Sequence, residues 1–248
     1  MRAGATEYSG GLLGATALEW KAGLLGGAVL TIGYILETAG MQEATAAKSG
    51  FLAQFYVVLV PFLQAAVFRR RPAWADLGSL LLATAGIGVM VVRPGQEVSI
   101  GEVLVALSAI TWAIQIVLVG RVAQRVDPIR ISVVQILVIA VLSSLSLAFV
   151  HEPMPTWRPA LIGHVIFLAV GCSSIGFLVQ AWAQRSVSPT RTAVLYSAQP
   201  IFSLAFGAWL LGEAFDGRDL AGAALVMAAV AVAVLAPKND TAAPAAGS

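Results

Sequence analysis

Apolar stretches long enough to cross a bilayer follow one another almost without pause along this chain, so lipid rather than water is the solvent to reason from. A spanning helix needs roughly 20 apolar residues. Eight stretches meet that need, at approximately 20–40, 45–68, 74–92, 100–120, 129–150, 159–183, 190–212 and 220–236. The segments between them (RRRP, RPGQE, RVDP, HEPMP, RSVSP, GEAFDGRD) are charged and rich in turn formers. Charged residues make up 11% of the 248 positions and hydrophobic ones 58%, whereas soluble domains carry about a quarter charged residues. The expectation is an all-α polytopic membrane bundle of about eight helices. Residues 1–19 form an N-terminal segment, either a remnant of an earlier helix or disordered. Its apolar run GGLLGATAL is too short to span and reads poorly as a secretion signal. Residues 237–248 are small and polar, which predicts a disordered tail.

The cations set a topology. With Arg69, Arg70 and Arg71 in the cytoplasm, alternation also puts Arg2, Lys21, Arg121, Arg125, Arg130, Arg185, Arg191 and Lys238 there. Only Lys48, Arg93, Arg158 and Arg218 fall on the other side. Positive charge favours the cytoplasmic face, so both termini are expected there, in a multi-pass protein of the cytoplasmic (inner) membrane.

A shift of 143 residues lays the second part of the chain over the first. Gly33 meets Gly176, Lys48 meets Arg191, and Leu52 meets Leu195; Asp76-Leu77 meets Asp219-Leu220, and Leu82 meets Leu225. The Arg69–Arg71 loop is inside and its counterpart around Glu213–Asp219 outside, so the two copies run in opposite senses. Inverted repeats are typical of secondary transporters. The copies are unequal: repeat 1 (20–93) holds three helices and repeat 2 (100–236) holds five. Under the shift, the partner of 129–150 would end near Glu7 and that of 100–120 would precede Met1. A chain lacking the first two helices of a ten-helix protein, or one whose start site is placed too late, is expected.

Two stretches, LETAGMQEATAAKSGFLAQFYVVLVPF and AQRSVSPTRTAVLYSAQPIFSLAFGAWLLGE, the latter followed by DLAGAALVMAAVAVAVLAP, resemble EamA-type transporters of the drug/metabolite transporter superfamily. The resemblance covers roughly 20–237. It implies ten helices in two inverted five-helix repeats around a central cavity, against three and five here. It implies transport of a small metabolite, amino acid or drug by alternating access, with the substrate and the bilayer as partners and a homodimer as an assembly open to the chain. The alternative is a truncated, non-transporting membrane fragment, or half of an assembly completed by another chain.

Glu37 is the most informative single residue, because an ionisable group at membrane depth is a functional hypothesis by default. Its counterpart in the 143-residue register is Gln180. Substrate binding or proton coupling is one reading; a carboxylate reaching the headgroups from its helix end is the other. Tyr56 and Gln199 form a second matched pair, on the stretches that carry Pro61 and Pro200. Proline removes a backbone donor and frees the carbonyl one turn earlier, and such groups inside a membrane need partners or a wet cavity. Pro61 and Pro200 are therefore candidate helix breaks, though static kinks satisfied by neighbouring helices are equally open. Gln54, Tyr196 and Ser197 lie within a turn of these positions. The cavity-lining candidates are thus Glu37, Gln54, Tyr56, Gln180, Tyr196 and Gln199. Gln115 beside Trp112, Gln135 and His164 are more often interhelical hydrogen bonders than ligands.

Other chemistries find little support. The net charge of +2, without a basic patch interleaved with aromatics, argues against nucleic acid. Cys172 alone can form neither an internal disulfide nor a multi-cysteine metal site, and its apolar setting predicts a buried, inert thiol. No glycine run forms a phosphate loop or dinucleotide fingerprint, and His151-Glu152 lacks the second His of a zinc protease. No nucleophile, base and orienting group stand at plausible spacing. The chain is not expected to be an enzyme or to hold a cofactor or metal.

Overall fold

The computed structural model describes residues 14–43, 52–69, 74–91, 99–146, 156–199, 202, 209 and 216–235. All regular structure among them is helical, and each of the eight expected spans carries helix. The helices are α1 Ala17–Met41, α2 Tyr56–Phe68, α3 Trp74–Val91, α4 Ile100–Val122, α5 Pro128–Ser146, α6 Pro159–Ala183, α7 Pro189–Tyr196 and α8 Gly217–Leu235. Helices α1, α4, α5 and α6 are long and apolar enough to cross a membrane by themselves.

Local chemistry sets the helix starts. The side chain of Thr16 accepts from the Glu19 amide, and the Glu19 carboxylate accepts from the Thr16 amide. Ser99 and Glu102 repeat this reciprocal cap at α4, satisfying amides that a helix start leaves unpaired. Pro159 and Pro189 occupy first-turn positions, where a missing amide costs nothing.

Packing gathers α1, α4 and α5 on one side, and α2, α3, α7 and α8 on the other, with α4 touching both groups. Small residues let α1 sit close to its neighbours: Gly27 faces Val138 of α5, and Gly40 faces the Gly101 carbonyl of α4. Close approach through small residues is the usual means of helix association in lipid. Val57, Val60, Ile116 and Val194 are the buried centre. Helix α6 is largely exposed along its first two thirds, and its Gly163 and Gly176 face no neighbouring atoms, unlike the packed glycines of α1.

Contacts also fix how the chain alternates. At one end, the Glu19 carboxylate accepts from the Asp127 amide at 2.8 Å and pairs with Arg130 at 3.6 Å. Gln64 accepts from Thr190 there, and Arg191 faces Asp76. The start of α1, the end of α2, the start of α3, the α4–α5 turn and the α6–α7 turn therefore lie together. The end of α1 and the start of α4 meet at the opposite end, through Gly40 and Gly101.

Two interruptions stand in the 143-residue register. The chain turns at Gln54–Phe55 before α2, and again at Ser197–Ala198 after α7. At the first, the Val57 and Val58 amides donate three residues back, to Gln54 and Phe55. Pro61 lies inside α2, which continues to Phe68 and ends on Arg69 in a left-handed conformation. Pro200 lies outside the described residues, as do Lys48, Arg70, Arg71 and the HEPMP segment.

Candidate functional site

Five helices or their ends surround one cavity of about 370 Å³. Tyr34 and Glu37 are three residues apart on α1 and so share a face. Trp112 and Gln115 have the same spacing on α4, and Phe177 and Gln180 on α6. Gln54 comes from the turn before α2 and Tyr56 from its first residue; Tyr196 and Gln199 flank the turn after α7. All of these line the cavity. The six candidates from the two matched stretches, Glu37, Gln54, Tyr56, Gln180, Tyr196 and Gln199, thus face one space.

The carboxylate of Glu37 is turned into the bundle: the Trp112 indole N–H donates to its Oε2 at 2.9 Å. Tyr34 holds that indole from the side, ring centroids 5.2 Å apart and nearly perpendicular, a favoured arrangement for aromatic pairs. Across the cavity, Gln180 Nε2 donates to Gln115 Oε1 at 2.9 Å and to Gln184 Oε1 at 3.2 Å. Gln184 in turn donates to the Ile116 carbonyl at 2.9 Å. This buried amide chain ties α6 to α4 with few polar atoms left over. Gln54 differs: its Nε2 donates to Gln199 Oε1 at 3.1 Å, while its buried Oε1 has no hydrogen-bond partner among the described residues.

Polar contacts also join the helices where α2, α3 and α7 meet, outside the cavity lining. Gln64 Oε1 accepts from both the amide and the hydroxyl of Thr190, at 2.8 and 2.9 Å. Arg191 Nε lies 3.7 Å from Asp76 Oδ1. Gln64 thereby serves as an added cap for the first turn of α7.

Some expectations change. Cys172 is exposed and lines the cavity rather than being buried. It sits in a π-helical segment of α6, Phe167–Ile175, where the Ser174 hydroxyl donates to the Ala169 carbonyl. The wider winding alters which residues share a face, so apolar neighbours in sequence do not predict burial. π-segments are frequent at functional sites. Pro61 does not line the cavity and does not end its helix. Gln135 is buried against Gly26, its Nε2 without a partner among the described residues. His164 lies on the exposed part of α6, and Ser197 is buried, its hydroxyl donating to the Val194 carbonyl. Tyr34 and Gln184 were legible in principle, each lying one turn from a candidate. Gln64 carried no such signal.

The EamA-like transporter family matches residues 99–235. An uncharacterized transporter of Archaeoglobus fulgidus is 24% identical over 217 residues, which are 88% of this chain and 70% of that protein. The uncharacterized transporter YcbK of Bacillus subtilis is 24% identical over 203 residues, 78% of this chain and 65% of its own length. The chain thus spans about two thirds of each relative. A protein of known crystal structure has the same fold, with a TM-score of 0.72 at 22% identity, covering 88% of this chain and 86% of that one.

Proposed function

The chain belongs to the EamA-like transporter family, and from that premise we propose that it moves a small organic solute across the cytoplasmic membrane by alternating access. The observation that carries this is the central cavity, lined by polar groups from both halves of the sequence. Polar groups within a bundle core mark substrate pathways, and transporter sites lie where repeats meet. The paired turns at Gln54–Phe55 and Ser197–Ala198 support an inverted repeat: irregular backbone at membrane depth is tolerated where it lines a cavity. The test is solute uptake into liposomes containing the purified chain, driven by a pH or sodium gradient. Uptake no faster than in protein-free liposomes, for every solute in a broad metabolite panel, would remove the proposal.

The end holding Gln64–Thr190 and Asp76–Arg191 is the cytoplasmic one in this reading. Lys21, Arg121, Arg125, Arg130 and Arg185 lie on the segments gathered there, as the charge rule requires. A reporter enzyme fused after Ser248 is therefore expected to report cytoplasm; periplasmic activity would invert the topology. In the same reading the Gln64–Thr190 and Asp76–Arg191 contacts serve as the closure on that side, so Arg191→Gln is expected to loosen it. Cys172, the chain's one cysteine, serves as the built-in probe. Its labelling by a bulky maleimide applied from the cytoplasmic side should accelerate several-fold in Arg191→Gln, and an unchanged rate would show that the pair is no gate.

A further inference from the structure

The composition of the cavity wall goes further than transport in general. Among the described lining residues, Glu37 is the one acidic side chain, and no Lys or Arg faces the space. Five of those residues are aromatic: Tyr34, Tyr56, Trp112, Phe177 and Tyr196. The wall also offers Gln54 Oε1, an acceptor without a partner among the described residues, on a side chain only 5% exposed. The remaining amides are engaged with each other, Gln180 with Gln115 and Gln184.

Each feature selects for the same ligand. A carboxylate in low dielectric attracts a cation strongly and repels an anion. Aromatic faces attract cations through their quadrupole, and five of them supply an apolar surface for the rest of the molecule. A buried acceptor without a partner is costly and is satisfied by an N–H donor, which every protonated amine brings. An anionic or carboxylate-bearing substrate would be drawn by a cation, and the described wall holds no Lys or Arg beside Glu37.

We infer that the cavity takes an organic cation: a protonated amine with an aromatic or apolar body, its ammonium between Glu37 and Gln54. The body lies against Tyr56, Trp112, Phe177 and Tyr196. This rests on the transporter reading for its purpose, but the binding preference stands on the wall alone, and the two are separable by experiment.

Three probes with one indole body and different charge make the test: tryptamine (cation), 3-ethylindole (neutral) and indole-3-propionate (anion). Each is titrated calorimetrically at neutral pH into the full chain in lipid nanodiscs. Tryptamine is expected to bind at least tenfold more tightly than either of the others. In Glu37→Gln the preference should collapse, tryptamine and 3-ethylindole binding within a few-fold of each other. Comparison of the three probes on the unaltered chain needs no variant, so misfolding of Glu37→Gln cannot mask the result. Equal affinities, a preference for the anion, or no tryptamine binding overturns the inference. Proteoliposome flux separates it from the transporter reading. Selective tryptamine binding without flux of any solute keeps the cation site and removes transport. Saturable flux of an anion that tryptamine does not inhibit keeps transport and removes the cation site.

Discussion

Glu37→Gln is expected to reduce solute flux in proteoliposomes to the level of protein-free vesicles, while the protein remains folded and inserted. The two halves of this expectation have different origins. The amide is nearly isosteric with the carboxylate and keeps an oxygen to accept the Trp112 indole N–H, now held at 2.9 Å. Removing a charge from membrane depth also relieves a cost, so yield and melting temperature should hold or rise. Function fares otherwise, because the amide neither attracts a cation nor takes up and releases a proton. If Glu37 also couples transport to protons, a pH gradient that accelerates flux in the native protein should have no effect on the residual flux of the variant. Glu37→Asp keeps the charge but withdraws it by one methylene and weakens the Trp112 bond; partial flux with retained pH dependence is expected. Normal flux in Glu37→Gln with unchanged pH dependence would leave Glu37 with a structural role only.

How much of this was legible in the sequence depends on range. Helix positions were legible because a bilayer imposes one length on every span; the start of α1 was not, since Thr16 and Glu19 cap it inside the segment set apart as 1–19. That these residues share one space was legible for another reason: the 143-residue register pairs Glu37 with Gln180 and Tyr56 with Gln199, and all four line the cavity. What failed was burial within a single helix. Cys172 sits among apolar residues, yet burial in lipid-facing helices does not follow hydrophobicity, and the π-segment shifts the face on which each residue falls. The interruption does not fall at the proline either: Pro61 is carried within α2, and the turn precedes it at Gln54–Phe55. There, hydrogen bonds to the third residue back replace the regular ladder. Contacts such as Gln64–Thr190, 126 residues apart, have no local signature and required the fold.

Gly86→Leu is expected to remove most of the folded protein, and Gly88→Leu to leave it intact. Both glycines lie on α3, two residues apart and therefore on different faces. A side chain at Gly86 would start 2.7 Å from the Gly222 carbonyl oxygen and 2.9 Å from the Val226 amide nitrogen, both backbone atoms of α8. Backbone inside a helix cannot rotate away as a side-chain tip can, so relief requires α3 and α8 to separate. These two helices share the most extensive interface in the bundle, with Ala83, Val226 and Ala229 buried in it. Overpacking typically costs about 1–3 kcal/mol, and blocking on two backbone atoms puts Gly86→Leu at or beyond the upper end. Nothing lies within 4 Å of a side chain added at Gly88, and leucine is a better helix former than glycine by up to about 1 kcal/mol. Size-exclusion profiles and melting curves of the two variants in one detergent check this. A monodisperse Gly86→Leu peak melting with the native protein would mean that α3 and α8 do not meet as closely as their glycines require.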